Sequence, residues 1–213
     1  MDFRDVRLAA RAFAELCLPR SCAGCGTAGV ALCASCKQQL RQPPQRISTR
    51  VLQHVPVYSL GPYGGVRSAM IIGMKERGRM DMCAVFGAVL RAAVQSLEAQ
   101  GRLPDGLWLV PAPTTLSNER ARGGDPVFLA CQSSRLPSAQ LLRHATRVRD
   151  SAGLSAVQRR INISGAVQLL GTVDAPVLLV DDVITTGATL ASSVAVLQSA
   201  GMKVAGCLGF SHA

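Results

Sequence analysis

The chain has 213 residues, enough for one sizeable domain with a small appendage. Hydrophobic residues make up 48% and charged residues 17%, which excludes wholesale disorder. The formal net charge is +10, carried by 20 Arg against 3 Lys, and it directs attention to polyanionic partners. No apolar run approaches the length of a membrane span. Arg4, Asp5, Arg7, Arg11 and Glu15 interrupt any secretion-type apolar segment at the start. A soluble, cytoplasmic protein with no membrane span is expected. Eight arginines between Arg120 and Arg160 face only Asp125 and Asp150 as acids, with few aromatics among them. Charge without stacking partners favours a phosphate-rich ligand over sequence-specific nucleic acid.

Residues 3–17 carry Val6, Ala9, Ala10, Phe13, Leu16 and Cys17 near one face of a helix, and Pro19 ends it. A cysteine segment follows to about Lys37. The polar, proline-bearing stretch 38–50 reads as a linker, which divides the chain into an N-terminal module, 1–45, and a main domain, 51–213. In the main domain a strand is expected over 54–60, a short helix over 66–75, and a long amphipathic helix capped by Asp81 and closed by Gly101. The run "GLWLVPAP" (106–113) predicts a buried strand with Trp108 in the core. A helix over 125–135 and short strands at 139–142 and 164–170 follow. "PVLLVDD" (176–182) is a strand whose unbroken apolar run suits a parallel sheet buried on both faces. A helix from 188, stopped by Gly201, and a last strand over 203–210 complete the pattern. Strands alternating with helices predict an α/β domain with a mostly parallel sheet flanked by helices.

Four of the eight cysteines form two pairs, Cys22-x-x-Cys25 and Cys33-x-x-Cys36. Each pair can present two thiolates to one tetrahedral metal, and zinc is the expected ion, in a structural site with no open position. A disulfide pair and an iron–sulfur cluster are the alternatives; a cytosolic setting disfavours the first. Cys83, Cys131 and Cys207 sit in apolar patterns and read as core. Cys17 reads as a buried apolar thiol, with ligation as its alternative role. His54, His144 and His212 form no usable pattern.

The stretch "PVLLVDDVITTGATL" (176–190) asks for a specific ligand. In an open α/β sheet, ligands sit at the C-terminal ends of the strands, and Asp181 and Asp182 fall at one such end. Thr185, Thr186, Gly187, Ala188 and Thr189 open the next helix, where free backbone N–H groups and the helix dipole favour an anion. Carboxylates beside a phosphate site repel it unless they hold something else, and neighbouring hydroxyls suit them. The ligand should therefore join a phosphate to a vicinal diol, as a ribose 5-phosphate does. A strand ending in an acidic pair that caps a threonine-rich turn is the plainer reading.

The string "VLLVDDVITTGATL" resembles the phosphoribosyl-pyrophosphate (PRPP) signature of type I phosphoribosyltransferases. With it, Cys22-x-x-Cys25…Cys33-x-x-Cys36, "GPYGGVRSAMIIGMKERGR", "VPAP…ERARGGD" and "LLRHATRVRDSAGLSAVQRRINISGAV" follow in the order seen in the ComF/GntX family of competence-associated phosphoribosyltransferase-like proteins. The resemblance implies a type I phosphoribosyltransferase-like fold. By position, it implies that Asp181 and Asp182 hold the ribose hydroxyls and form the catalytic pair, and that Thr185 to Thr189 bind the 5-phosphate. It places the pyrophosphate loop at Pro111 and Ala112, and Arg147, Arg149, Arg159 and Arg160 on the loop that closes over PRPP. It implies Mg2+ bound with PRPP, transfer of phosphoribose to an unidentified nitrogenous acceptor, and a link to DNA uptake. The alternative is a non-catalytic PRPP- or nucleic-acid-binding protein, with single-stranded DNA or competence and recombination proteins as partners. The chain departs from the family pattern at Glu76, where an aromatic is common. It departs again at Arg122-Gly123-Gly124-Asp125-Pro126, where Arg-Gly-aromatic-Asn-Gln is common.

Overall fold

The computed structural model describes residues 20–51, 54–115, 119–120, 123–144 and 167–213. The helix expected over 3–17, Cys17, and Arg147, Arg149, Arg159 and Arg160 lie outside the described residues. The described chain forms α1 (Ala34–Gln39), β1 (Gln45–Ile47), β2 (Val57–Ser59), α2 (Gly65–Glu76), α3 (Asp81–Ala99), β3 (Trp108–Pro111), α4 (Pro126–Ser133), β4 (Leu142–His144), β5 (Val167–Leu169), β6 (Val177–Ile184), α5 (Ala188–Ser199) and β7 (Val204–His212).

Five strands make the main sheet in the order β1-β2-β7-β6-β3. β2, β7, β6 and β3 pair in parallel, and β1 adds antiparallel to β2 at the edge. β4 and β5 form a separate two-stranded antiparallel ribbon. The α/β architecture expected from the sequence is the one observed.

The run Val177–Val180 explains why β6 lies in the middle of this sheet. All four residues are fully buried, and successive side chains point to opposite faces. Leu178 and Val180 join Leu208, Phe210, Tyr58 and Leu109 under α2, α3 and α4. Val177 and Leu179 join Val57, Val110 and Cys207 under α5 and the ribbon. A strand covered on both sides has no polar face, hence the continuous apolar run. Phe86 of α3 stacks on Phe210 of β7, with ring centroids 4.4 Å apart, so the long helix is anchored on the sheet next to β6.

Four local expectations are corrected. The stretch read as a linker contains β1, because Gln45 to Ile47 pair with Ser59 to Val57. Asp81 does not cap α3: Met80 holds that position, and the Asp81 carboxylate is bound by Arg79, whose Nη2 lies 2.8 Å away. The first ribbon strand begins at Leu142, where the sequence reading ended it. α3 is also long and apolar enough to cross a membrane by length and composition. Its buried residues, among them Phe86, Leu90, Val94 and Leu97, pack instead into the core of the domain.

The N-terminal cysteine segment does not stand apart from the main core. Cys22, Leu32, Cys36 and Leu40 are buried in the same cluster as Val66, Met70 and Phe86. Arg79 ties it down by donating to the carbonyls of Ser21 (3.0 Å) and Ala31 (3.4 Å).

α3 and α4 meet at a glycine. A Cβ on Gly87 would lie 2.7 Å from Ser133 Cβ and 2.8 Å from the Ala130 carbonyl oxygen. Neither backbone can retreat without moving a helix. Gly87→Ala is therefore expected to destabilise the fold by about 1–3 kcal/mol, the usual cost of overpacking, read as a lower midpoint in denaturant. An unchanged midpoint would contradict this packing.

Candidate functional site

β3 and β6 run side by side, with Pro111 opposite Val180, so their C-terminal ends open together. Beyond them lies a cavity of about 300 Å³, lined by Ala112, Pro113, Thr114 and Thr115 after β3 and by Asp181, Asp182 and Val183 on β6. Lys75 from the end of α2, Asp125 and Pro126 from the start of α4, His144 from β4, and Thr189 from α5 close it. Its volume and mixed walls suit a small polar ligand.

The acid pair sits inside β6, which continues two residues past it to Ile184. Successive strand residues point to opposite faces, yet both acids line this cavity. Asp181 Oδ1 turns back to accept the backbone N–H of Asp182 at 2.8 Å. Asp182 Oδ2 lies 2.6 Å from Lys75 Nζ. Burial first, then the charge of Asp182, pushes the Asp181 carboxyl up to about 7, while Lys75 pulls the other way. Among the described residues Lys75 is the cation in contact with the pair, and it arrives from α2, about a hundred residues away in sequence.

The loop after the pair is built for close approach. Gly187 is buried at the N-cap of α5 with φ +83°, a conformation that costs glycine little. Thr185, Thr186, Ala188 and Thr189 are exposed. The Thr186 hydroxyl accepts the Ala188 N–H at 3.3 Å, and the Thr186 carbonyl accepts the N–H of Val51 at 2.9 Å. α5 has 12 residues, so its first-turn N–H groups and dipole give the loop positive character. Of the loop residues, Thr189 also lines the cavity.

Of the two β3-end residues singled out from the sequence, Ala112 lines the cavity, and Pro111 is the last residue of β3. Among the cavity residues that sequence reasoning missed as parts of a site are the polar ones Lys75, Thr114, Thr115, Asp125 and His144. Thr114 and Thr115 follow β3 directly, whereas long-range packing brings Lys75, Asp125 and His144 there, and of those three only Asp125 carried a local signal, as the residue before Pro126 at a helix start.

Asp125 is the N-cap of α4, with Oδ1 accepting from Val127 N at 2.9 Å and Phe128 N at 3.3 Å. It is 5% exposed, and Oδ2 is buried without a hydrogen-bond partner. Burial raises its carboxyl above the usual range, opposed by the two N–H groups and reinforced by the charges of Asp182 and Glu119. Asp125→Ala is expected to cost about 1–2 kcal/mol by uncapping α4, whereas Asp125→Asn keeps the cap and removes the buried charge. Thermal unfolding should rank Asn at or above wild type and Ala below it; equal loss in both would contradict the capping role.

The second constellation is the cysteine cluster. The Sγ atoms of Cys22, Cys25, Cys33 and Cys36 all lie within 4.8 Å of one another. Cys25 and Cys33 are 3.7 Å apart, close to the ~3.8 Å edge of a tetrahedron with metal–sulfur bonds of ~2.3 Å. Cys33 N–H donates to Cys22 Sγ at 3.3 Å. Burial raises the Cys22 thiol, but N–H groups of Cys33, Cys25 and Gly24 outweigh it and leave it at about 6. Burial and the neighbouring thiols push Cys36 up instead. The four thiols are placed to hold one metal ion. Cys83, Cys131 and Cys207 are buried elsewhere in the core.

No protein-family model matches the chain. No curated protein matches it significantly. Among solved structures it is similar to an adenine phosphoribosyltransferase at 14% identity and a TM-score of 0.40, over 84% of this chain and 89% of that one. It is similar to adenine phosphoribosyltransferase from Rhodothermus marinus at 15% identity and a TM-score of 0.35, over 83% and 86%. The enzyme from Saccharomyces cerevisiae, complexed with an imino-altritol bisphosphate and adenine, gives 13% identity and a TM-score of 0.38, over 85% and 90%. Likenesses this distant leave the functional case to the chain's own residues.

Proposed function

We propose that the chain binds PRPP with Mg2+ and transfers phosphoribose to a nitrogenous acceptor. The observation that carries this reading is the joining, at the end of a central parallel strand, of an acid pair to a glycine loop that opens a helix. Few ligands ask for both: carboxylates accept from the 2- and 3-hydroxyls of a ribose, and the loop's N–H groups and hydroxyls hold its 5-phosphate. Asp181 and Asp182 take the first role; Thr185, Thr186, Gly187, Ala188 and Thr189 take the second.

The chemistry is displacement at the anomeric carbon. The acceptor nitrogen forms a bond to that carbon, the bond to the pyrophosphate oxygen breaks with its electron pair, and the acceptor's proton passes to solvent. Positive charge develops on the ribose in between, and the carboxylates beneath it stabilise that charge. Mg2+ brought in with PRPP would supply charge neutralisation at the pyrophosphate, beside the carboxylates of Asp181 and Asp182. Ala112 and the loop after β3 bound the space for the pyrophosphate. Lys75, with Nζ 2.6 Å from Asp182 Oδ2, holds that side chain at the cavity wall, so the pair is organised before the ligand arrives.

In the cysteine cluster, zinc is the proposed ion, because four thiolates at tetrahedral spacing suit it and leave no position open for substrate. Its role is structural.

The test is release of pyrophosphate from Mg2+-PRPP across a panel of purine, pyrimidine and simple amine acceptors. Release that requires one acceptor class supports a transferase. PRPP binding without release by any acceptor would favour the alternative, a PRPP-responsive binding protein acting through DNA or protein partners.

A further inference from the structure

The four sulfurs of the cysteine cluster are not equivalent. Cys22 and Cys36 are buried and form its inner side. A Cβ on Gly24 would lie 2.7 Å from Cys36 Sγ and 2.9 Å from Val66 of α2, so nothing reaches Cys36 from that direction. Cys25 is exposed and Cys33 half-buried, and every residue from Cys25 to Val30 is open to water. The two outer sulfurs also face each other, with Cys25 Sγ 3.7 Å from Cys33 Sγ. The sequence motif groups Cys22 with Cys25 and Cys33 with Cys36. Accessibility and distance join the pairs crosswise instead.

We propose that Cys25 and Cys33 are an oxidation site, at which a peroxide closes a disulfide between the two and expels the metal. The inference rests on the metal reading of the cluster and is independent of PRPP.

The reactive form of a cysteine is its thiolate, and reaction with peroxide follows thiolate character and exposure. A metal-bound thiol is already deprotonated, so exposure decides, and it selects Cys25. Its sulfur attacks one peroxide oxygen. The O–O bond breaks, and the second oxygen leaves as hydroxide. The Cys33 thiolate then attacks the sulfenic sulfur of Cys25. The S–S bond forms, the S–O bond breaks, and a second hydroxide leaves. Each hydroxide takes a proton from solvent. Two thiolates, one peroxide and two protons thus give one disulfide and two waters, with sulfur oxidised and peroxide reduced. A disulfide needs its sulfurs about 2.0 Å apart, an approach that side-chain rotation can supply from 3.7 Å. The metal keeps its charge but is left with only Cys22 and Cys36, half of a tetrahedral set.

Peroxide titration of the zinc-loaded full chain tests it. A chromogenic chelator reads the zinc released. Free thiols are alkylated in denaturant with one reagent, and those recovered by reduction with a second. Cleavage after Arg20 and Lys37 yields one peptide with all four cysteines, and its fragments locate each label. Loss of one equivalent of zinc is expected per equivalent of peroxide consumed. The second label should fall on Cys25 and Cys33, and the first on Cys22 and Cys36. Cys83, Cys131 and Cys207, buried in the core, should keep the first label. A dithiol with added zinc should restore the metal. Disulfides within the motif pairs would overturn the proposal, as would zinc retained after Cys25 and Cys33 have joined. A chain that takes up no zinc with its cysteines reduced would remove the metal reading and the release step with it. Labelling of that chain would still decide whether Cys25 pairs with Cys33.

Discussion

Cys36→Ser is expected to abolish stoichiometric zinc binding and to lower the thermal midpoint of the whole chain, beyond what an ordinary core substitution does. Cys36 is 2% exposed, and its Sγ lies 2.7 Å from where a Cβ on Gly24 would be. The same spot meets Val66 of α2 at 2.9 Å. The cluster, the turn at Gly24 and the start of α2 thus form one packed unit. A segment this small has too little apolar surface to hold itself against the entropy of ordering. In zinc-finger peptides the metal contributes about 10–16 kcal/mol at neutral pH. Losing even a modest part of that exceeds the ~0.5–3 kcal/mol of a typical point substitution. Because Cys22, Leu32, Cys36 and Leu40 share their core with Phe86 and Met70, the loss should spread into α2 and α3. Metal analysis and thermal unfolding read the two effects. Cys131→Ala is the control: it opens a small cavity in α4 but leaves zinc at one equivalent. A Cys36→Ser chain that keeps one equivalent of zinc and its midpoint would contradict the role given to the cluster.

The second large effect concerns Asp181. Its carboxyl is pushed up to about 7, by burial and then by Asp182. A protonated carboxyl offers fewer acceptors to a diol than an ionised one. Affinity for Mg2+-PRPP is therefore expected to rise as pH increases through 7, with uptake of the ligand releasing a proton. Calorimetry in buffers of different ionisation heat reads that proton directly. Stability moves the opposite way. The folded carboxyl holds its proton more tightly than an unfolded one, whose value is ~3.9. Its contribution is fully present below about pH 4 and is lost as pH rises through about 7. Asp181→Asn removes this dependence, so it should unfold at a higher temperature than wild type at pH 8 and differ least at about pH 4, while losing the ligand. An identical pH profile of stability in wild type and variant would refute the assignment. Lys75→Met should push Asp181 further in the same direction, since Lys75, after the backbone N–H of Asp182, opposes the shift.

The parts of this molecule that were legible in the sequence are those whose signal is local. The apolar run Val177–Val180 announces a strand buried on both faces because burial on both faces leaves no room for a polar residue. Gly187 announces a positive-φ turn at a helix start, and Gly201, with φ +83°, the end of the same helix. The two cysteine pairs announce a cluster because their spacing alone brings four sulfurs together.

What sequence could not give depends on contacts between distant segments. Lys75 is one lysine on the last turn of a helix until the fold sets its Nζ 2.6 Å from Asp182. His144 carries no pattern until the β4–β5 pairing brings it to the cavity wall. Gln45 to Ile47 read as a linker because a three-residue polar edge strand has no apolar alternation to reveal it, and only its register with β2 makes it a strand. Asp81 fits a capping consensus, but Arg79, two residues before it, takes the carboxylate in a two-pronged contact at 2.9 and 2.8 Å. A strong local ion pair overrode a weaker capping preference.

The most direct test of the central claim is calorimetric titration of Mg2+-PRPP into the wild type and into the Asp181→Asn/Asp182→Asn double variant. Saturable one-site binding by the wild type, absent from a double variant that unfolds as cooperatively as its parent, is the predicted result. No binding by well-folded, zinc-replete wild type would contradict the account: the acid pair and its loop would then serve the turn between β6 and α5, and the cavity beside Lys75 a ligand without a phosphoribosyl group.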